Sequence, residues 1–89
     1  MAQVRVMRWK WIPSQVKVTG ADGETATRML PDRFQQEIDR VAMRLGLAGT
    51  DDYLDAWEWS PVEERDGAAA EVADAVLAEL VAAGFREPA

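Results

Sequence analysis

Hydrophobic and polar positions alternate with period two along the start of the chain. In QVRVMRWKWI, residues 3–12, Val4, Val6, Arg8, Lys10 and Ile12 fall on one side and Arg5, Met7, Trp9 and Trp11 on the other. This alternation, rich in β-branched and aromatic residues, predicts a strand. Pro13-Ser14 is the turn signal that ends it. Residues 15–19, carrying Val16 and Val18, predict a second strand. Gly20-Ala21-Asp22-Gly23 then supplies a hairpin loop in which glycine can take positive φ, and residues 24–30 predict a third strand. The amino-terminal third therefore reads as an antiparallel meander.

The period then becomes helical. Phe34, Ile38, Val41, Ala42 and Leu45 lie at offsets 0, 4, 7, 8 and 11, one continuous stripe. Pro31 suits the first turn, Asp32 complements the positive end of the helix dipole, and Arg40 and Arg44 suit the other end, before Gly46. Thr50 can cap a short second helix whose buried side would be Tyr53, Leu54 and Trp57. Residues 57–65, WEWSPVEER, fit two structures. Ser60-Pro61-Val62-Glu63 has the form of a capping box. The same residues fit a fourth strand with Trp57, Trp59 and Pro61 on one side, restricted to an edge by the proline. Asp66-Gly67 breaks the pattern soon afterwards, which favours the strand. Residues 68–83 predict the last helix, with Val72, Val76, Leu80 and Ala83 as a stripe widened by Leu77 and Val81. Gly84 caps it, Phe85 can fold back, and Pro88 prevents continuation. The order β-β-β-α-α-β-α makes residues 1–89 a single α+β domain: a two-layer sandwich in which two main helices cover an antiparallel four-stranded sheet.

Composition narrows the chemistry. The 89 residues include no cysteine and no histidine. Disulfides and thiolate metal sites are excluded, and the commonest general base and transition-metal ligand are missing. Asp51, Asp52 and Asp55, and Glu63, Glu64 and Asp66, form two acidic groups, but helix capping and solvation account for them and their spacing matches no calcium loop. Ser14 and Ser60 have no histidine to activate them, and Gly20 and Gly23 precede no helix that could bind a phosphate. The expectation is a protein that is not an enzyme and carries no metal or cofactor. The start of the chain lacks a signal-peptide pattern and no run is apolar enough to cross a bilayer, so a soluble, cytoplasmic protein is expected.

Charge divides the chain. Residues 1–46 hold eight Lys/Arg against five acids, a balance of +3; residues 47–89 hold two against eleven, a balance of −9. The ordinary consequence is attraction between the halves across the fold; the sharper one is a basic face and an acidic face that meet different partners.

RWKWIP, residues 8–13, concentrates both themes. Two tryptophans among Arg5, Arg8 and Lys10 could stack single-stranded nucleic acid, yet only one strand carries the mixture and the acidic half repels phosphate. A thin core gains most from large aromatics, so at least two of the four tryptophans belong to it. A two-layer domain covers only one sheet face, and a strand apolar on both sides leaves an open patch. Trp9, Trp11, Trp57 and Trp59, with Arg8 and Lys10, are accordingly the candidate partner-binding residues, for a protein partner or a second copy. A small ligand with a flat ring, stacked on tryptophan, is the alternative.

Taken together, RWKWIPSQV, the helix within LPDRFQQEIDRVAMRLGLAGTDDYLDAW, and the acidic, alanine-rich last helix resemble the bacterial virulence factor domain family. The shared pattern is Ile12-Pro13-x-Gln15-Val16, Leu30-Pro31-x-Arg33-Phe34, then Ile38-Asp39-x-x-Ala42-Met43-x-x-Gly46. The resemblance spans nearly the whole chain and brings no catalytic residues with it. Members of that family occur as short stand-alone proteins or attached to a larger helical-repeat protein, conserved virulence factor C. What the resemblance implies is an accessory subunit of a bacterial complex, with a folate- or corrinoid-linked methyl-transfer protein in one-carbon metabolism as its partner.

Overall fold

The computed structural model describes residues 1–85, and the expected stop at Pro88 lies outside them. Eight elements follow in order: β1 (Ala2–Trp9), β2 (Ile12–Thr19), β3 (Thr25–Met29), α1 (Asp32–Arg44), α2 (Asp51–Asp55), β4 (Trp57–Trp59), β5 (Glu63–Arg65) and α3 (Ala69–Ala83). The sheet is antiparallel throughout, in the order β3-β2-β1-β4, with β5 also on β1. It is the expected α+β sandwich, with one strand more than the four expected.

The extra strand comes from the proline. β4 and β5 are two halves of one edge strand running antiparallel to β1, with Met7 opposite Trp59 and Val4 opposite Glu63. Between those pairs Ser60, Pro61 and Val62 span a stretch of β1 that holds only Arg5 and Val6, so the edge bulges. Proline has no N–H for a ladder and is tolerated at such a bulge. Ser60 holds the break together: its N–H donates to the Val6 carbonyl at 2.8 Å, and its Oγ accepts from the Val6 N–H at 2.9 Å. The edge strand is thus the better description of residues 57–65.

Helix α3 packs on β3 and β2, burying Ala69, Val72, Ala73 and Val76 against Val4, Val16, Val18 and Ala26. Leu77, Leu80 and Val81 are half-buried beside them, while Ala83 is exposed. Gly84 ends the helix at φ 74°, with its N–H on the Leu80 carbonyl. Phe85 then folds back edge-on to Phe34, ring centroids 5.0 Å apart. Helix α1 packs on β2 and buries Phe34, Ile38, Val41 and Ala42. Leu45, expected in that stripe, is at the helix end and exposed. Thr50 Oγ1 accepts from the Tyr53 N–H and caps α2, but Leu54 faces solvent and Tyr53 is only half-buried against the core, so α2 does not bury the wider face expected.

The first hairpin departs most from the alternation. Ala2, Val4 and Val6 are buried and Gln3 and Arg5 exposed, as period two requires. The turn, however, is Lys10-Trp11, not Pro13-Ser14. Trp9 pairs directly with Ile12, and Lys10 takes φ 55°. A two-residue hairpin needs such a left-handed residue to match the strand twist, whatever the side chain. The β1–β2 register then slips between Met7 and Arg8, leaving Ser14 as the extra residue of a bulge. β3 reaches only Gln15 to Thr19, so Pro13 sits in β2 where no third strand needs its missing N–H.

Candidate functional site

The six residues singled out in the sequence separate into two groups. Trp9 is fully buried. Its Nε1–H donates to the Tyr53 carbonyl at 2.9 Å, its ring lies 5.5 Å from the Tyr53 ring, and Lys10 Nζ sits 5.6 Å from its centroid. Trp57 pairs with Trp9 across the ladder and meets Tyr53 edge-on at 6.3 Å. Trp11 is half-buried against the same core, and its buried Nε1–H meets no acceptor. Trp9 and Trp57 secure the hairpin end to α2 through Tyr53, and Trp11 packs against the core. Trp9 has no surface to offer a partner, a correction to the face assigned to it by alternation: α2 closes over this end of the sheet and the bulge at Ser14 ends the simple two-sided pattern.

Trp59 is different. Its burial is intermediate, like that of Trp11 and Trp57, but it is not packed against the core cluster as they are; it pairs with Met7, and the Arg5 guanidinium lies 5.5 Å from its ring centroid. Arg5 and Met7 are two apart on β1, so the guanidinium reaches the indole diagonally across the strand pair, the spacing at which long side chains meet. Arg5, Arg8 and Lys10, with Glu58, Trp59, Ser60 and Pro61, line an open groove of about 530 Å³ at the sheet edge. The groove therefore unites Arg8, Lys10 and Trp59, and excludes Trp9, Trp11 and Trp57. Arg5, Ser60 and Pro61 belong to it but were not among the candidates. Only the register between β1 and the edge strand brings them there.

Ion pairs hold several of the cations outside this groove. Arg28 pairs with Asp74 of α3 at 2.7 Å, joining the basic and acidic halves. Arg65 makes a two-pronged contact with Glu79, at 2.5 and 2.8 Å, and also meets Glu63 at 3.0 Å. Hydrogen bonds from Arg65 hold the Glu79 carboxyl below its ordinary range, and those from Glu79 and Glu63 raise the Arg65 guanidinium. Arg40 grips Glu37 through both oxygens and lowers that carboxyl too. Among the described residues, by contrast, no carboxylate pairs with Arg5, Arg8 or Lys10. Three cations with one rim carboxylate, Glu58, remain available in a chain of net charge −6.

The acidic groups noted in the sequence do not assemble. Among the described residues no three His, Cys, Asp or Glu side chains converge in a way that could hold a metal ion. No helix among them is long and apolar enough to cross a membrane.

Comparison with protein families matches residues 7–87 to the virulence factor family. The chain belongs to that family. The matched span contains every element from the end of β1 to α3, including the two cations Arg8 and Lys10 and the broken edge strand, so the virulence factor match covers most of the groove. Comparison with curated proteins finds no match, and neither does comparison with solved structures.

Proposed function

We propose that this virulence factor domain is a non-catalytic interaction module, and that the groove at the broken edge strand is its docking surface for a protein partner. The observation that supports this reading is the cluster of Arg5, Arg8 and Lys10 around half-exposed Trp59, none of the three paired with a carboxylate among the described residues. Unpaired cations beside an aromatic ring are the composition of binding hot spots, where arginine and tryptophan are enriched. A sequence without histidine or cysteine offers no equally developed catalytic constellation. The family resemblance nominates a folate- or corrinoid-linked methyl-transfer protein as the first partner to try, and the module would be its accessory subunit.

The test is capture from the native cell extract, identification of the captured protein, and reconstitution from purified components. Arg8→Ala and Trp59→Ala should each abolish a stoichiometric complex while leaving a cooperative thermal melt. Arg33→Ala, a cation stacked on Phe34 outside the groove, should leave the complex intact. A chain that emerges alone, or a complex indifferent to Arg8 and Trp59, removes the reading.

A further inference from the structure

The cationic groove does not end at the edge-strand break. A second groove, of about 450 Å³, lies on the helix side of the same break and shares Arg8, Ser60 and Pro61 with the first. Its apolar wall is formed by Val4, Val6, Val62, Val76 and Leu80. Its two carboxylates, Glu63 and Glu79, share the single guanidinium of Arg65, so this end of the groove keeps a negative charge and suits an apolar side chain, not a carboxylate. One surface thus passes from an apolar pocket, across Arg8, to a cationic trough beside Trp59.

We propose that this continuous groove binds an extended acidic peptide segment, seating one apolar side chain between α3 and the edge strand and its carboxylates along Arg8, Lys10 and Arg5. The inference rests on the interaction-module reading and adds to it the chemistry of the partner. Charge complementarity carries it: the trough holds three cations against one carboxylate, Glu58, which stands opposite Arg8 on the ladder, and none of the three forms an ion pair among the described residues. Carboxylates on a partner supply the missing charge, and arginine accepts them in a two-pronged geometry. From Val4 to Lys10 the groove borders β1 and the first turn residue, seven residues whose six steps span about 20 Å at roughly 3.3 Å per residue, the reach of an extended peptide of similar length. Single-stranded nucleic acid fits less well. It needs successive stacking platforms, whereas Trp9 is buried and Trp59 already carries Arg5 on its ring.

The probes are two fluorescein-labelled octapeptides with one leucine and four glutamates, the leucine preceding the glutamates in one and following them in the other. Controls replace the glutamates with glutamine or the leucine with serine, and a labelled oligothymidylate tests the nucleic-acid alternative. Fluorescence anisotropy at low salt should give at least about tenfold tighter binding of one glutamate peptide than of its glutamine counterpart. The difference should shrink at high salt as the charges are screened. Serine for leucine should also weaken binding several-fold. Arg8→Glu should lose the peptide; Lys10→Glu, at the exposed turn, repeats the test should Arg8→Glu fail to fold. Equal binding of glutamate and glutamine peptides, binding of neither, or tighter binding of oligothymidylate overturns the proposal. If a native complex still depends on Arg8 and Trp59 while the peptides fail, the acidic-segment inference falls alone; if the complex is absent as well, both readings fall.

Discussion

The two ends of β1 follow different rules. At the Ala2 end side chains alternate strictly, β5 lies alongside, and Arg65 ties that edge to α3 through Glu79. At the Trp9 end a buried tryptophan breaks the alternation, the hairpin turns through a left-handed lysine, and three cations lack carboxylate partners among the described residues. The first end is locally consistent: pattern, packing and charge all agree. The second is not, and local conflict of that kind concentrates where a surface has a further use. That contrast is a further argument for the docking surface proposed at the second end.

If the aromatic anchoring of the hairpin end is the core of that region, Trp9→Ala is the most damaging single change. Removing a fully buried indole should cost about 3–5 kcal/mol, a large part of the roughly 5–10 kcal/mol that holds a chain of this size together. Trp59→Ala, at a half-exposed site, should cost about 1 kcal/mol, within the usual range for a single substitution. Urea unfolding of both variants distinguishes them. Equal losses would make Trp59 as much a core residue as Trp9 and remove the contrast. Trp11→Phe sharpens it further, because that substitution deletes a buried N–H without an acceptor and should be close to neutral.

Much of the Ala2 end and of both main helices is legible in the sequence, because there one physical signal dominates. Val4 and Val6, the Phe34-to-Ala42 stripe, and Val72 and Val76 each follow a period, and burial obeys it. Pro61 correctly marks an edge. The Trp9 end resists the same treatment for identifiable reasons. Pro13-Ser14 is a strong turn signal, yet both residues enter a bulged strand, and the real turn, Lys10-Trp11, contains no glycine to announce it. Arg8, Lys10 and Trp59 are recognisable as candidates from their residue types. Arg5 is conspicuous by its charge too, but its place beside Trp59, and those of Ser60 and Pro61 in the groove, depend on pairing Met7 with Trp59, a register that periodicity alone does not fix.

The break in the edge strand gives the next effect in size. Ser60→Ala leaves the Val6 N–H without its side-chain acceptor, which should cost about 1–3 kcal/mol. Hydrogen exchange at the Val6 amide should accelerate along with the loss of stability. An unchanged exchange rate would mean that the two halves of the edge are held by β4 and β5 pairing alone. At the hairpin turn the expected sign is reversed. Lys10→Gly and Lys10→Ala both lose the cation over Trp9, so their difference isolates the backbone. Glycine should be the more stable by about 1 kcal/mol, because it takes φ near +55° without the Cβ penalty. Equal midpoints in urea would indicate that the turn relaxes away from the left-handed region when the side chain is shortened.

The smallest effect probes the ion pair at the opposite end. Glu79 is exposed, and the Arg65 hydrogen bonds hold its carboxyl below the ordinary value of 4.5. A carboxylate whose folded-state pKa is depressed stabilises the fold above its unfolded pKa and loses that contribution as pH falls through the folded value. Arg65 is raised, so it stays charged throughout that range and leaves Glu79 as the titrating partner. The melting temperature of Glu79→Gln should therefore lie slightly below wild type at neutral pH, and the two should converge as the solution is acidified below the ordinary glutamate range. Salt should narrow the gap at neutral pH, since exposed pairs are readily screened. Arg8→Gln offers the matching measurement in the groove. Arg8 faces Glu58 across the ladder but forms no ion pair among the described residues, so acidification through the same range should change the gap between Arg8→Gln and wild type less than it changes the Glu79 gap. A gap at Arg8 that closes with acid as the Glu79 gap does would reveal a carboxylate partner for Arg8 within the chain, and the two ends of β1 would then be electrostatically alike.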